Sequence, residues 1–159
     1  SSRRIDGRGL EPSGLWFIIR CMFDWLTLHV AALVALGAAF GGMAYFAMVF
    51  APMVFRVLER PDAARFMRAM FPVYYVTTAV VLGVAALLLV PGQSYVAEIS
   101  VLAAVALVFV LLRWVLLPHI NRLREAGKEA AFGRLHRLSV VINLVQFVAV
   151  AVVLVRLAQ

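Results

Sequence analysis

The residues best suited to chemistry lie on one stretch near the C-terminus. His136, Ser139, Asn143 and Gln146 succeed one another at intervals of three, four and three. At about 100° per residue, a helix gathers them into a single sector of roughly 80°. Four polar side chains on one apolar helix have two uses. They bond the helix to its neighbours, or they line a polar pocket. Tyr74, Tyr75, Asn121 and Arg56 are the residues that would complete such a pocket. The histidines add a third chemistry, with His29 and His136 as candidate ligands for a metal or haem. Met43, Met48 and Met53 are too widely spaced for a copper-handling cluster and read as packing.

No catalytic constellation accompanies them. The apolar runs hold no paired carboxylates, and the chain has no Gly-rich phosphate loop, HExxH or nucleophile elbow. Asp24 and Glu98 are the only acidic residues close to the apolar runs. The lone Cys21 excludes a disulfide framework or zinc ribbon. A non-catalytic protein with no resident cofactor is expected, with haem as the alternative and bound lipid as the expected companion.

Four apolar runs must position these residues: 26–55, 71–90, 96–117 and 138–157. Each is long enough to cross a bilayer, which takes about 20 residues. None alternates as a barrel strand would. Backbone groups in hydrocarbon must bond within their own segment, so each run is a helix. Pro91-Gly92-Gln93-Ser94 is a tight turn between the second and third, and the region around Pro61 separates the first and second. The segment 118–137 is polar, with apolar residues at near-helical spacing. It reads as an amphipathic interfacial helix between helices three and four, weakest at Gly127 and Gly133. Residues 1–25 read as a polar N-terminal extension with an interfacial stretch, and 26–159 as the transmembrane domain. The first run is too long for a signal-peptide core. No internal repeat is visible by eye. The fold class expected is all-α, an integral membrane four-helix bundle.

Composition agrees. The chain is 65% hydrophobic and 14% charged, against roughly 45–50% and 25% for soluble domains. The excess of 15 basic over 8 acidic residues does not point to nucleic acid, because the arginines flank apolar runs where lipid headgroups lie. Four spans force the segments 56–70 and 118–137 onto one face. With Arg113 at its margin, that face carries ten basic residues against five elsewhere, so the positive-inside rule places it in the cytoplasm. The same parity puts His29 about 30 Å from His136, too far apart to share one metal or haem.

Helix one is rich in small residues. Gly37, Gly41 and Gly42 form a surface for close helix approach, within the bundle or toward a partner.

Two blocks carry a resemblance. Ala51-Pro52-Met53-Val54-Phe55-Arg56-Val57-Leu58 precedes Phe71-Pro72-Val73-Tyr74-Tyr75. Further on, Leu117-Pro118-His119-Ile120-Asn121-Arg122 precedes Phe132-Gly133-Arg134-Leu135-His136-Arg137-Leu138-Ser139 and Asn143. Together they resemble the bacterial membrane family called domain of unknown function 4149, with transmembrane protein 205 as its eukaryotic relative. The resemblance covers roughly residues 28–157 and implies four helices with no established enzyme activity. A more distant likeness to the copper-resistance protein D group, some of which handle haem or copper, keeps His29 and His136 under watch.

The function expected is that of an accessory or stabilising subunit of a larger bacterial inner-membrane complex, respiratory or photosynthetic. Its partners would be membrane lipids and other integral membrane subunits, docked through the N-terminal extension and helix one. A haem- or metal-handling protein and a small-solute carrier are the alternatives.

Overall fold

The computed structural model describes residues 12–92 and 94–159. Among them the regular elements are all helical: α1 (Pro12–Tyr45), a π turn (Phe46–Phe50), α2 (Ala51–Val57), α3 (Arg60–Leu89), α4 (Val96–Leu111), a second π turn (Leu112–Leu116), α5 (Leu117–Glu125) and α6 (Glu129–Leu157). The π turns join their neighbours without a break, so these pieces make four long rods. Four stretches are long and apolar enough to cross a membrane: Leu26–Val57, Arg60–Leu89, Val96–Glu125 and Glu129–Leu157. The protein is an all-α membrane bundle.

The two π turns share one setting, a proline just beyond each, although Pro72 stands inside α3 without one. A proline has no N–H, and its ring collides with the carbonyl four residues back. Pro52 and Pro118 each stand second in the α segment after a π turn. The residue before each proline donates its N–H five residues back, Ala51 to the Phe46 carbonyl and Leu117 to that of Leu112. The wider turn takes up the proline, and the helix continues.

The helices run further than hydropathy suggests. Only Leu58 and Glu59 separate α2 from α3, and Arg60–Met70 forms the first turns of α3 rather than a loop. Pro61 near its start and Asp62 in its first turn suit a helix N-terminus. Ala63, Ala64 and Met67 are buried there, so packing as well as backbone bonding holds this extension. The polar segment 118–137 is likewise helical, but it is not one helix lying in the interface. Its first part is α5, which continues the third rod. Its last part, from Glu129, begins α6. Between them Gly127 adopts φ 66, Lys128 N donates to Leu123 O at 3.0 Å, and Gly127 N donates to Arg124 O at 3.1 Å. That pattern is a Schellman closure, which needs a left-handed residue and therefore favours glycine. Gly133, the other expected weak point, lies inside α6. At the opposite end, α1 runs unbroken from Pro12 into the first span, and residues 1–11 of the expected extension lie outside the described residues.

The rods form a ring in the order α1, α3, α4, α6. Packing is densest where α3 meets α1 and α4, and sparser where α6 meets them. The second span is the most enclosed, 39% of its apolar window being buried against 17% for the first. Leu36, Leu82, Leu102, Phe109 and Val150 fill the interior. Outward-facing Leu138, Val141, Leu144, Val145, Val148 and Val152 on α6 remain exposed, as side chains solvated by lipid do.

The structure also reveals a repeat that the sequence hides. The interval from Pro52 to Pro118 is the interval between the two π turns and between Arg56 and Arg122. It recurs in the core. Ala32, Leu36, Ala39 and Met43 are buried on the first rod, and Glu98, Leu102, Val105 and Phe109 occupy the matching buried positions on the third. Thr78, Leu82, Ala85 and Leu89 on the second rod correspond to Gln146, Val150, Val153 and Leu157 on the fourth, at an interval two residues longer. The bundle is thus two helical hairpins of one plan, set in the same direction. Few of the paired residues are chemically alike, which is why the repeat escapes a reading by eye.

Candidate functional site

The stripe on α6 divides into three. His136 is exposed at the arginine-rich end, its ring stacked on Phe132 at 5.8 Å. Ser139 is buried and spends its hydroxyl on the His136 carbonyl at 2.7 Å, while Asn143 donates to the Ser139 carbonyl at 2.8 Å. Both bonds lie within α6. Gln146 alone reaches across, its Nε2 donating to Val105 O of α4 at 3.1 Å. Its Oε1 is buried and accepts no hydrogen bond. Asn143 also meets the Tyr75 side chain from α3. Gln146 thus joins α6 to its own hairpin partner, whereas the hydrogen bond of Asn143 stays within α6 and its Oδ1 is buried without an acceptor role.

Tyr74 and Tyr75 sit in an aromatic cluster. Tyr74 stacks on Phe46 of the first π turn at 4.2 Å, and both tyrosines touch Phe109 at 5.9 Å. The structure therefore brings Tyr75, Asn143 and Gln146 inside the bundle. Tyr74 stands half-buried beside them, and Asn121 is half-buried on α5. Arg56 and His136 lie exposed on the basic face. The eight residues do not close around one polar pocket.

A groove of about 480 Å³ lies between the first rod and α3, with Tyr74 among its lining residues. Ala38, Gly42, Phe46 and Phe50 form one wall, and Val73 and Thr77 lie on the other. It is apolar and open to the side. Sequence reading names Gly42 and Tyr74 but not their meeting across two rods. The groove exists because small residues on one rod face a second rod that only the fold supplies.

At the opposite face His29 bonds Leu157 O through Nε2 at 3.1 Å and stacks on Tyr95 at 5.5 Å. Nearby along the same rods, Arg156 Nε meets Glu98 Oε1 at 2.9 Å. Glu98 is buried and Arg156 mostly exposed, their side chains 8% and 62% accessible. These contacts tie the first, third and fourth rods together at one end. His136 stands about 30 Å away along α6 from the Leu157 that holds His29. Among the described residues, no group of three or more His, Cys, Asp or Glu is placed to hold a metal ion.

The glycines of α1 look outward. A Cβ built on Gly37, Gly41 or Gly42 would meet nothing within 4 Å, and Gly41 and Gly42 are exposed. The close-approach surface is not used inside the bundle.

Comparison with known families finds one model, described as Domain of unknown function (DUF4149), matching residues 34–129. No curated protein and no solved structure matches the chain significantly. The match takes in both π turns and both proline–arginine blocks, and it ends at the first residue of α6.

Proposed function

The chain belongs to the family described as Domain of unknown function (DUF4149), and we propose that it serves as a non-catalytic accessory subunit of a larger complex in a bacterial inner membrane. The observation that carries this reading is the outward glycine surface of α1. Helices associate in lipid by close packing of small residues rather than by hydrophobic burial. Gly37 and Gly41 offer that surface, and none of the other three rods occupies it. The same rod is the least enclosed of the four. The α6 stripe supports a structural role too, since most of its donors are spent on backbone carbonyls. In this reading the arginine-bearing helix ends, with segments 56–70 and 118–137, face the cytoplasm.

The test is the native mass of the protein released from its own membrane in mild detergent. The wild type is expected in an assembly well above the mass of one chain. Gly37→Ile with Gly41→Ile is expected to run as the free chain with unchanged helix content, because the added side chains have open space inside the subunit. A wild type that runs alone, or a double variant that stays in the assembly, would overturn the proposal.

A further inference from the structure

The lateral groove has the dimensions and surroundings of a lipid site. Its walls run from Ala38 to Phe50 on the first rod and from Val81 back to Met70 on α3. At 1.5 Å per residue each wall is about 17 Å long, close to one leaflet of a hydrocarbon core ~30 Å thick. Its volume of about 480 Å³ lies in the ~300–1,000 Å³ range of ligand clefts. The opening faces sideways at membrane depth, where the medium is hydrocarbon.

The charge beyond its mouth selects the occupant. Past Phe50 the first rod continues into α2, which carries Arg56, and α3 on the other wall begins with Arg60, Arg65 and Arg68 before it reaches Met70. The whole face holds ten basic residues against Glu59, Asp62, Glu125 and Glu129. Arg65 is engaged by Asp62 at 3.1 Å. Arg56, Arg60 and Arg68 have no ion pair among the described residues. A slot one leaflet deep, whose walls lead toward the arginine-bearing turn between α2 and α3, matches an acyl chain joined to a phosphate.

We infer that this groove holds one acyl chain of an anionic phospholipid, with its headgroup phosphate near Arg56 and Arg60, on either side of the short turn that joins the two walls. The π turn builds the site. The extra residue in Phe46–Phe50 lets the rod continue past Pro52 while Phe46 stacks on Tyr74 as the inner wall. Gly42 keeps the slot open. A larger side chain there would enter the groove without striking protein, since its Cβ meets nothing within 4 Å. The inference is independent of the subunit reading, because Gly37 and Gly41 do not line the groove.

The experiment is native mass spectrometry of the full chain from vesicles of equal phosphatidylglycerol and phosphatidylethanolamine. The wild type is expected to retain one phosphatidylglycerol in preference to phosphatidylethanolamine. Gly42→Leu should reduce that retention at least fivefold, and Thr77→Trp on the facing wall should do the same. Arg56→Gln with Arg60→Gln should abolish the preference between headgroups while leaving one lipid bound. Equal retention of the two lipids by the wild type overturns the inference. So does undiminished phosphatidylglycerol on either groove-filling variant, or a protein chain in the groove in place of lipid. If one filling variant fails to fold, as judged by circular dichroism, the other decides.

Discussion

Two residues from neighbouring rods, Glu98 and Arg156, form an ion pair whose partners are unequally placed. The carboxylate is buried and the guanidinium largely exposed. Removing the cation leaves a desolvated negative charge, whereas removing the acid returns the arginine to water. Arg156→Ala should therefore cost about 2 kcal/mol and Glu98→Gln less than about 1 kcal/mol, measured as unfolding midpoints in mixed micelles. Equal effects would contradict the asymmetry. Both residues are plain in the sequence, but their meeting is not, because it depends on which rods are neighbours. The α6 stripe carries the same lesson. The spacing of Ser139, Asn143 and Gln146 puts the three in one helical sector, yet only the fold shows that Val105 O receives the Gln146 amide. His136 belongs to the spacing and not to the interior, its ring lying along Phe132 on the outside of α6.

Among the elements, hydropathy locates well three of the four rod ends at the arginine-poor face, the exception being α1, which begins at Pro12 and not at 26. The structure ends α3 at Leu89 and begins α4 at Val96, against 90 and 96 expected. At the arginine-rich face the helices run on past the apolar runs, α3 beginning at Arg60 and α6 at Glu129. Apolarity marks the bilayer, whereas a helix ends where its hydrogen bonding ends, and arginine is a good helix former. The π turns escape the sequence for a related reason, since Pro52 and Pro118 look like breaks until the wider turn is seen to bridge them. A π turn holds one residue more than an α turn needs. Deleting Val49 together with Pro52→Ala, or Val115 together with Pro118→Ala, should therefore preserve the register of the downstream helix and yield folded protein. Deleting Leu33, in regular helix, should shift the buried positions Leu36, Ala39 and Met43 out of the core and abolish monodisperse expression, scored by size exclusion. Equal tolerance of all three deletions would argue against this account.

For the molecule as a whole, the repeat of one hairpin plan predicts that the halves assemble when separate. Residues 1–92 and 93–159, coexpressed as two chains, should copurify at one-to-one stoichiometry, because the backbone bonds described in the turn that joins them are local ones around Gly92 and Tyr95. Recovery of either half alone would contradict this. Even parity makes a second demand. Cysteines placed at Arg65 and Lys128 in a chain with Cys21 replaced should react with an impermeant maleimide from one side of the membrane, and a cysteine at Ser94 from the other.

The shared direction of the two hairpins constrains how the molecule could move. Carriers built from inverted halves open to either side by exchanging the shapes of those halves. Here both halves enter the bilayer with the same heading, so swapping their conformations would reproduce the original opening instead of reversing it. Their difference is one of tightness. The leading hairpin contributes α3, clamped between two rods, and the trailing one contributes α6, held more lightly. Adjustment to a neighbouring protein or to bilayer thickness would fall to α6, with α3 as the fixed post about which it leans.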